Sequence, residues 1–252
     1  VSQALLEANG LFRSFDGVQA LSNFSCSLRQ NEILGLFGPN GAGKTTLFNV
    51  VTGFISPERG RLSLKNSDIT GLPSYRLANL GIARTFQDLR LIRQLSVLEN
   101  VLLSFRNQPG ERLGNLFFRS KKSHDHEALN RQTAIELLED AGIVEKADDR
   151  ADNLSYGQQK LLSLVCCLAS GAQVLLLDEP VAGIAPEMID KILGIIRNLP
   201  SKGKSVILIE HNLDAVMRVC DRVIFMDAGA KVSEGTPEEV RNDPRVIEAY
   251  ID

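Results

Sequence analysis

The sequence predicts an α/β fold: a parallel sheet buried on both faces, with helices crossing over between its strands. Three observations carry that expectation. QVLLLD (173–178), SVILIE (205–210) and RVIFMD (222–227) are continuous Val/Ile/Leu-rich runs, the pattern of strands covered on both sides. Helix patterns at 186–199 and 212–219 separate them. A third apolar run, EILGLF (32–37), enters a Gly-rich turn that leads into the helix pattern LFNVVTGF.

The first part of the chain reads mostly as strands, at 4–8, 18–28, 61–65 and 82–86. Turn signals at Asp16-Gly17 and at 57–60 punctuate it. Helices dominate from 88 to 170. Ser96 with Glu99 makes a capping box for a helix over 96–104. The polar stretch 106–126, with Pro, Gly, a Lys121-Lys122 pair and Phe117-Phe118, reads as a surface loop. A helix is expected over 127–142, ended by Gly142.

Composition bounds the possibilities. The 252 residues suit one or two domains. With 44% apolar and 23% charged residues the chain is not disordered. A net charge of −3 provides no global field for binding nucleic acid. The longest apolar stretches, such as LLSLVCCLA (161–169), are far shorter than the roughly 20 residues a membrane span needs. The first ten residues lack the basic flank and apolar run of a secretory leader, so a cytoplasmic chain is expected, held at a membrane only by a partner. Cys26, Cys166, Cys167 and Cys220 show no C-x2-C spacing and read as buried, reduced thiols. With His124, His126 and His211 they form no zinc set.

Residues 38–45, GPNGAGKT, fit G-x-x-x-x-G-K-[ST], between a buried strand and a helix. Gly38, Gly41 and Gly43 let the backbone turn tightly. With Pro39, Asn40 and Ala42 they bring main-chain N–H groups to phosphate oxygens. The helix that follows adds its positive end. Lys44 supplies charge for β- and γ-phosphates. Thr45 offers a hydroxyl to Mg2+, and Thr46 reaches toward the α-phosphate. A nucleoside triphosphate with Mg2+ is the expected ligand. VLLLDEP (174–180) closes a buried strand with two carboxylates. Asp178 is the expected Mg2+ ligand, and Glu179 the general base that polarises an attacking water.

LSYGQQK (154–160) stands before a helix and shortly upstream of the acidic strand. It resembles the signature motif of ATP-binding cassette (ABC) ATPases, and with the two phosphate motifs in order the likeness spans nearly the whole chain. The resemblance implies a P-loop NTPase of ABC type: a RecA-like core with an antiparallel β subdomain (1–87 and 171–252) and an α-helical subdomain (88–170). It also implies ATP and Mg2+ as ligands, and two partners, a second cassette and a membrane permease. Ser155, Gly157 and Gln158 would then contact ATP held by the opposing cassette. Gln87 would touch Mg2+ or the attacking water, His211 would hold the γ-phosphate, and Phe15 would stack on adenine. Two positions depart from the family pattern. Ala185 stands where Asp or Asn is common, and Tyr156 replaces the first glycine of the signature. Within the family, LSYGQQ, the AG-I-AP loop and the tail 234–252 resemble ATPases of branched-chain (hydrophobic) amino-acid uptake. Urea or amide importers and the lipopolysaccharide exporter share much of this. A soluble ABC ATPase acting on ribosomes or DNA fits less well, since the chain has one cassette and no coiled-coil insertion. A non-hydrolysing cassette fits less well because Glu179 and His211 are both present.

Overall fold

A computed structural model of the chain describes residues 4–87, 89–106 and 121–251. β1 (Ala4–Phe15) and β2 (Val18–Arg29) form an antiparallel hairpin. Its turn is Asp16-Gly17, both at positive φ (49° and 85°), as a tight two-residue hairpin turn requires. β3 (Ile33–Phe37) precedes α1 (Lys44–Val51). β4 (Arg59–Leu64) and β5 (Ser67–Asp68) complete a four-stranded antiparallel sheet in the order β2-β1-β4-β5.

The second sheet contains β3 with β6 (Ile82–Arg84), β7 (Val174–Asp178), β8 (Ser205–Ile209), β9 (Arg222–Asp227) and β10 (Ala230–Gly235). Its order is β10-β9-β3-β8-β7-β6. All pairings are parallel except β9 with β10. Every residue of β3, β7 and β8 is buried, as continuous apolar runs require of strands covered on both faces.

The helices that follow are α2 (Ser74–Leu80), α3 (Val97–Leu102), α4 (Lys121–Asp140), α5 (Tyr156–Ala169), α6 (Pro186–Arg197), α7 (Leu213–Val219), α8 (Pro237–Arg241) and α9 (Pro244–Ile251). One apolar core joins Val97, Leu138 and Leu161 of the helices to Leu175, Leu177 and Val206 of the parallel sheet. A second core lies between the two sheets and α1, with Leu11, Phe24, Leu36 and Phe48 fully buried. A third packs Val240 and Val246 of the tail onto Phe37 and Phe225.

Several expectations shift. β1 runs on to Phe15, because the hairpin lengthens both partners. β6 stops at Arg84, so Gln87 lies beyond the strand rather than at its end. The helix expected from 127 begins at Lys121 and ends at Asp140, with Gly142 left-handed (φ 60°) just beyond. Residues 107–120, including Phe117 and Phe118, lie outside the described residues. The Ser96–Glu99 capping box is formed in both directions. The four cysteines are free; Cys167 is buried and the other three are largely so. Burial pushes the Cys26 thiol up to about 12 and the Cys166 thiol up to about 11.

One buried ionic cluster ties the sheets together. Arg222 on β9 donates from Nε to Glu32 Oε1 (2.9 Å) and from Nη2 to Glu32 Oε2 (3.0 Å). It also donates to the Ser27 carbonyl and to Glu234. This spans β2, the entry to β3, β9 and β10. Removing one partner of such a pair strands the other charge in the interior. Arg222→Met should therefore destabilise the fold by about 3–5 kcal/mol, read as a lowered urea midpoint.

Candidate active site

The parallel register builds the site. Leu36 of β3 pairs with Ile209 of β8, and Ile209 pairs with Asp178 of β7. The residues that leave these three strands therefore emerge side by side at one edge of the sheet. In open α/β sheets that carboxyl edge is where ligands bind.

After β3 the chain turns through Gly38, Gly41 and Gly43, at φ 150°, 85° and 98°. At Gly43 a Cβ would lie 2.2 Å from the Ala20 carbonyl oxygen, and at Gly38 a Cβ would lie 2.0 Å from the Met226 carbonyl oxygen. Only glycine permits this close approach of β2 and β9 to the loop. α1 starts at Lys44 with no side-chain cap, so the helix start keeps orphan N–H donors for an anion. Lys44 is buried, and its Nζ donates to the Gly38 and Pro39 carbonyls at 2.8 Å each. Burial pulls its pKa down, and the Glu179 and Asp178 carboxylates partly restore it.

Asn40, Gly41, Ala42, Gly43, Lys44, Thr45 and Thr46 line an open cleft of roughly 230 Å³ together with Ala20, Gln87, Glu179 and His211. Glu179 is one of the lining side chains. Oε1 lies 2.6 Å from His211 Nε2, and Oε2 accepts from Gln87 Nε2 at 3.4 Å. The Glu179 backbone is left-handed (φ 48°), a strained state for a residue with a side chain. Its N–H donates to the Ile209 carbonyl at 2.9 Å.

Other expected site residues fall outside this cleft. Asp178 is buried, and its Oδ2 accepts from Arg84 Nη2 at 2.7 Å. Arg84 also donates to Asn49 Oδ1 on α1 at 2.6 Å and lies 5.2 Å from the ring centroids of Phe48 and Phe86. Phe15 is exposed on the hairpin, with the Arg13 guanidinium 4.8 Å from its ring centroid. Ser155 caps α5 and exchanges hydrogen bonds with Gln158, with Gly157 in the first turn. The uncapped start of α6 reflects Ala185, which has no side-chain oxygen to offer.

Three residues beside the site are not singled out by motif. Arg84 lies inside IARTF, Lys160 ends LSYGQQK, and Glu210 ends SVILIE. Arg84 and Glu210 carry a charge within or at the end of an apolar run, and Lys160 directly precedes the apolar run 161–169, so folding draws all three inward. Glu210 is 1% exposed, and its Oε1 accepts from the Val181 N–H at 2.9 Å.

The sequence pattern described as "ABC transporter" matches residues 21–182 of the chain. The chain belongs to the ABC transporter ATPases. A second pattern, "Branched-chain amino acid ATP-binding cassette transporter", matches residues 230–251. The chain is 41% identical to the high-affinity branched-chain amino acid transport ATP-binding protein LivG of Salmonella typhimurium, over 100% of this chain and 99% of that one. It is 40% identical to LivG of Escherichia coli K12, with the same coverage. BraF of Pseudomonas aeruginosa, named for the same role, is 34% identical over 100% of this chain and 99% of its own. A nucleotide-free ATP-binding cassette from an ABC transporter superposes with a TM-score of 0.85 at 34% identity, covering 99% of this chain and 100% of that one. An ADP-bound cassette superposes with a TM-score of 0.85 at 32% identity, covering 99% of each chain. The fold is the ABC ATPase fold expected from the motifs, and the activity is ATP hydrolysis by a transporter cassette.

Burial pushes the Glu210 carboxyl up to about 7, against hydrogen bonds from the Val181 and His211 N–H groups and the nearby Lys160 charge. A carboxyl raised in the folded state holds its proton where the unfolded chain has lost it. Stability relative to a non-titrating variant is therefore full below the ordinary carboxylate range and falls as pH climbs through 7. At about 1.4 kcal/mol per unit, the wild type should lose about 3 kcal/mol relative to Glu210→Gln between pH 4 and 8. Urea unfolding of both proteins across that range measures it.

Proposed function

We propose that this chain is the ATP-binding and ATP-hydrolysing subunit of an importer for branched-chain or related amino acids. The role for which its full-length relatives are named and the match of its tail support that cargo. The observation that carries the chemistry is the placement of Glu179 between His211 and Gln87, at the rim of the phosphate loop.

In this reading the loop N–H groups and the start of α1 hold the phosphate chain of ATP, and the Gly38 and Pro39 carbonyls release Lys44 to the β- and γ-phosphates. Glu179 accepts a proton from the attacking water. His211 orients Glu179 and the γ-phosphate, and Gln87 brackets the water from the other side. The oxygen donors of Thr45 and Gln87 at the cleft suit a hard cation and would hold Mg2+ with the phosphates, while Asp178, paired with Arg84 outside the cleft, would join them only through its second oxygen. When bound, the ion neutralises charge on the phosphate oxygens. Phe15 projects from the hairpin as the platform for adenine. Ser155, Gly157 and Gln158 act on ATP in a second cassette, so two copies, or this chain and a relative, close head to tail. The helical part, 88–170, is the side that meets a membrane permease. Among the described residues no helix is long and apolar enough to cross a membrane. The cassette would ride on the cytoplasmic face of the cell membrane through that partner.

Glu179→Gln should bind ATP with affinity within a few-fold of wild type while turnover falls about 100–1000-fold. Equilibrium nucleotide binding beside a phosphate-release assay reads both. Lys44→Ala should weaken ATP binding by about 30-fold or more, since a charge-assisted contact is lost. Uptake of labelled leucine, isoleucine and valine by cells carrying the wild type or Glu179→Gln tests the cargo. Equal uptake in both strains would overturn it.

A further inference from the structure

The signature helix and the catalytic carboxylate are joined inside one chain. Lys160 lies on the second turn of α5, two residues beyond Gln158. Its side chain is not spent on solvent: the residue is 7% exposed, and Nζ donates to the main-chain carbonyl of Glu179 at 2.5 Å. A lysine in the interior is costly unless something there needs its charge or its hydrogen bond. What it holds is the peptide that follows Glu179, the residue whose backbone is left-handed (φ 48°). Such a backbone persists only where its surroundings over-determine it. Two bonds do so, from opposite sides. The Glu179 N–H is tied to the Ile209 carbonyl of β8, and the Glu179 C=O to Lys160 of α5.

The neighbourhood reinforces the link. The Tyr156 ring lies 5.5 Å from Lys160 Nζ. A Cβ on Gly157 would lie 3.0 Å from Met188 Cγ, so the first turn of α5 packs tightly on α6. Burial pulls the Lys160 pKa down, and the nearby Glu210, Glu179 and Asp178 carboxyls only partly offset it. Ala185, by contrast, offers the start of α6 no side-chain cap.

We propose that Lys160 is a positioning residue for hydrolysis: by holding the Glu179 carbonyl it sets the carboxylate against His211, and it makes that setting depend on the placement of the signature helix. A helix start that engages ATP in the opposing cassette would then act on the base of its own cassette through a single side chain. The inference rests on the assignment of Glu179 as general base.

The test uses the full chain with its membrane partner and four variants: Lys160→Met, Lys160→Arg, Glu179→Gln, and Lys160→Met combined with Glu179→Gln. ATP affinity, turnover at saturating ATP and the thermal midpoint are measured for each. Lys160→Met should lower turnover at least tenfold with ATP affinity unchanged. Lys160→Arg, which keeps a cationic donor, should recover most of the loss and serves if the Met variant does not fold. In the Glu179→Gln background the Met substitution should cost nothing further, because the group it positions is gone. Turnover of Lys160→Met within twofold of wild type, with Glu179→Gln inactive, overturns the proposal and leaves the general base intact. Parallel loss of midpoint, affinity and turnover in both Lys160 variants overturns it in favour of a purely structural lysine. Full turnover in Glu179→Gln removes the general base itself and this inference with it.

Discussion

The hydrogen-bonded register that sets Leu36, Ile209 and Asp178 side by side is the constraint on which the site depends. Three parallel strands buried on both faces cannot slip by one residue without turning their side chains to the opposite layer. Their ends are therefore fixed relative to one another, and so is everything attached to them. The Gly-rich loop leaves β3, Asp178 closes β7 with Glu179 just beyond it, and Glu210 with His211 follows β8. Residues more than 160 positions apart in sequence meet across a cleft because the core beneath them has only one comfortable register.

Around that edge lies a layer of polar groups that the core has enclosed. Arg84 binds Asp178 and Asn49, Lys160 binds the Glu179 carbonyl, and Glu210 takes the Val181 N–H. In the interior each such contact is strong when satisfied and costly when broken. The result is a carboxylate, Glu179, that keeps a strained backbone while presenting its side chain to His211 and Gln87. The strain is held by bonds on both sides of the residue, which keeps the side chain in place without burying it fully.

The two departures from the family pattern have different physical weight. Tyr156 is about half exposed and leaves the capping exchange between Ser155 and Gln158 intact, because that exchange uses backbone N–H groups and the two flanking side chains. Ala185 does remove something. The start of α6 has no side-chain cap, and the loop after Glu179 has no side-chain oxygen at that position. Contact between α5 and that loop is made instead by packing at Gly157 and by Lys160.

Much of this was legible in the sequence. Continuous Val/Ile/Leu runs identified β3, β7, β8 and β9, since only strands covered on both faces need such composition. The glycine spacing of 38–45 identified the loop, since backbone can approach phosphate or a neighbouring strand this closely only without a Cβ. The Asp16-Gly17 hairpin and the Ser96 capping box followed from local turn and cap chemistry. Other elements were invisible to local pattern. β10, α2 and the two tail helices are short and gain their stability from packing on distant residues, such as Val240 and Val246 on Phe37 and Phe225. The pairing of Asp178 with Arg84, and of the Glu179 carbonyl with Lys160, joins positions 94 and 19 residues apart. Spacing along a chain cannot express such contacts. The sequence by itself determined the buried strands and the Gly-rich loop between β3 and α1, because those rest on local composition and backbone freedom. Which carboxylate faces the cleft, and which is held behind it by an arginine, was decided only by tertiary structure, because it depends on which charges the folded core brings together away from water.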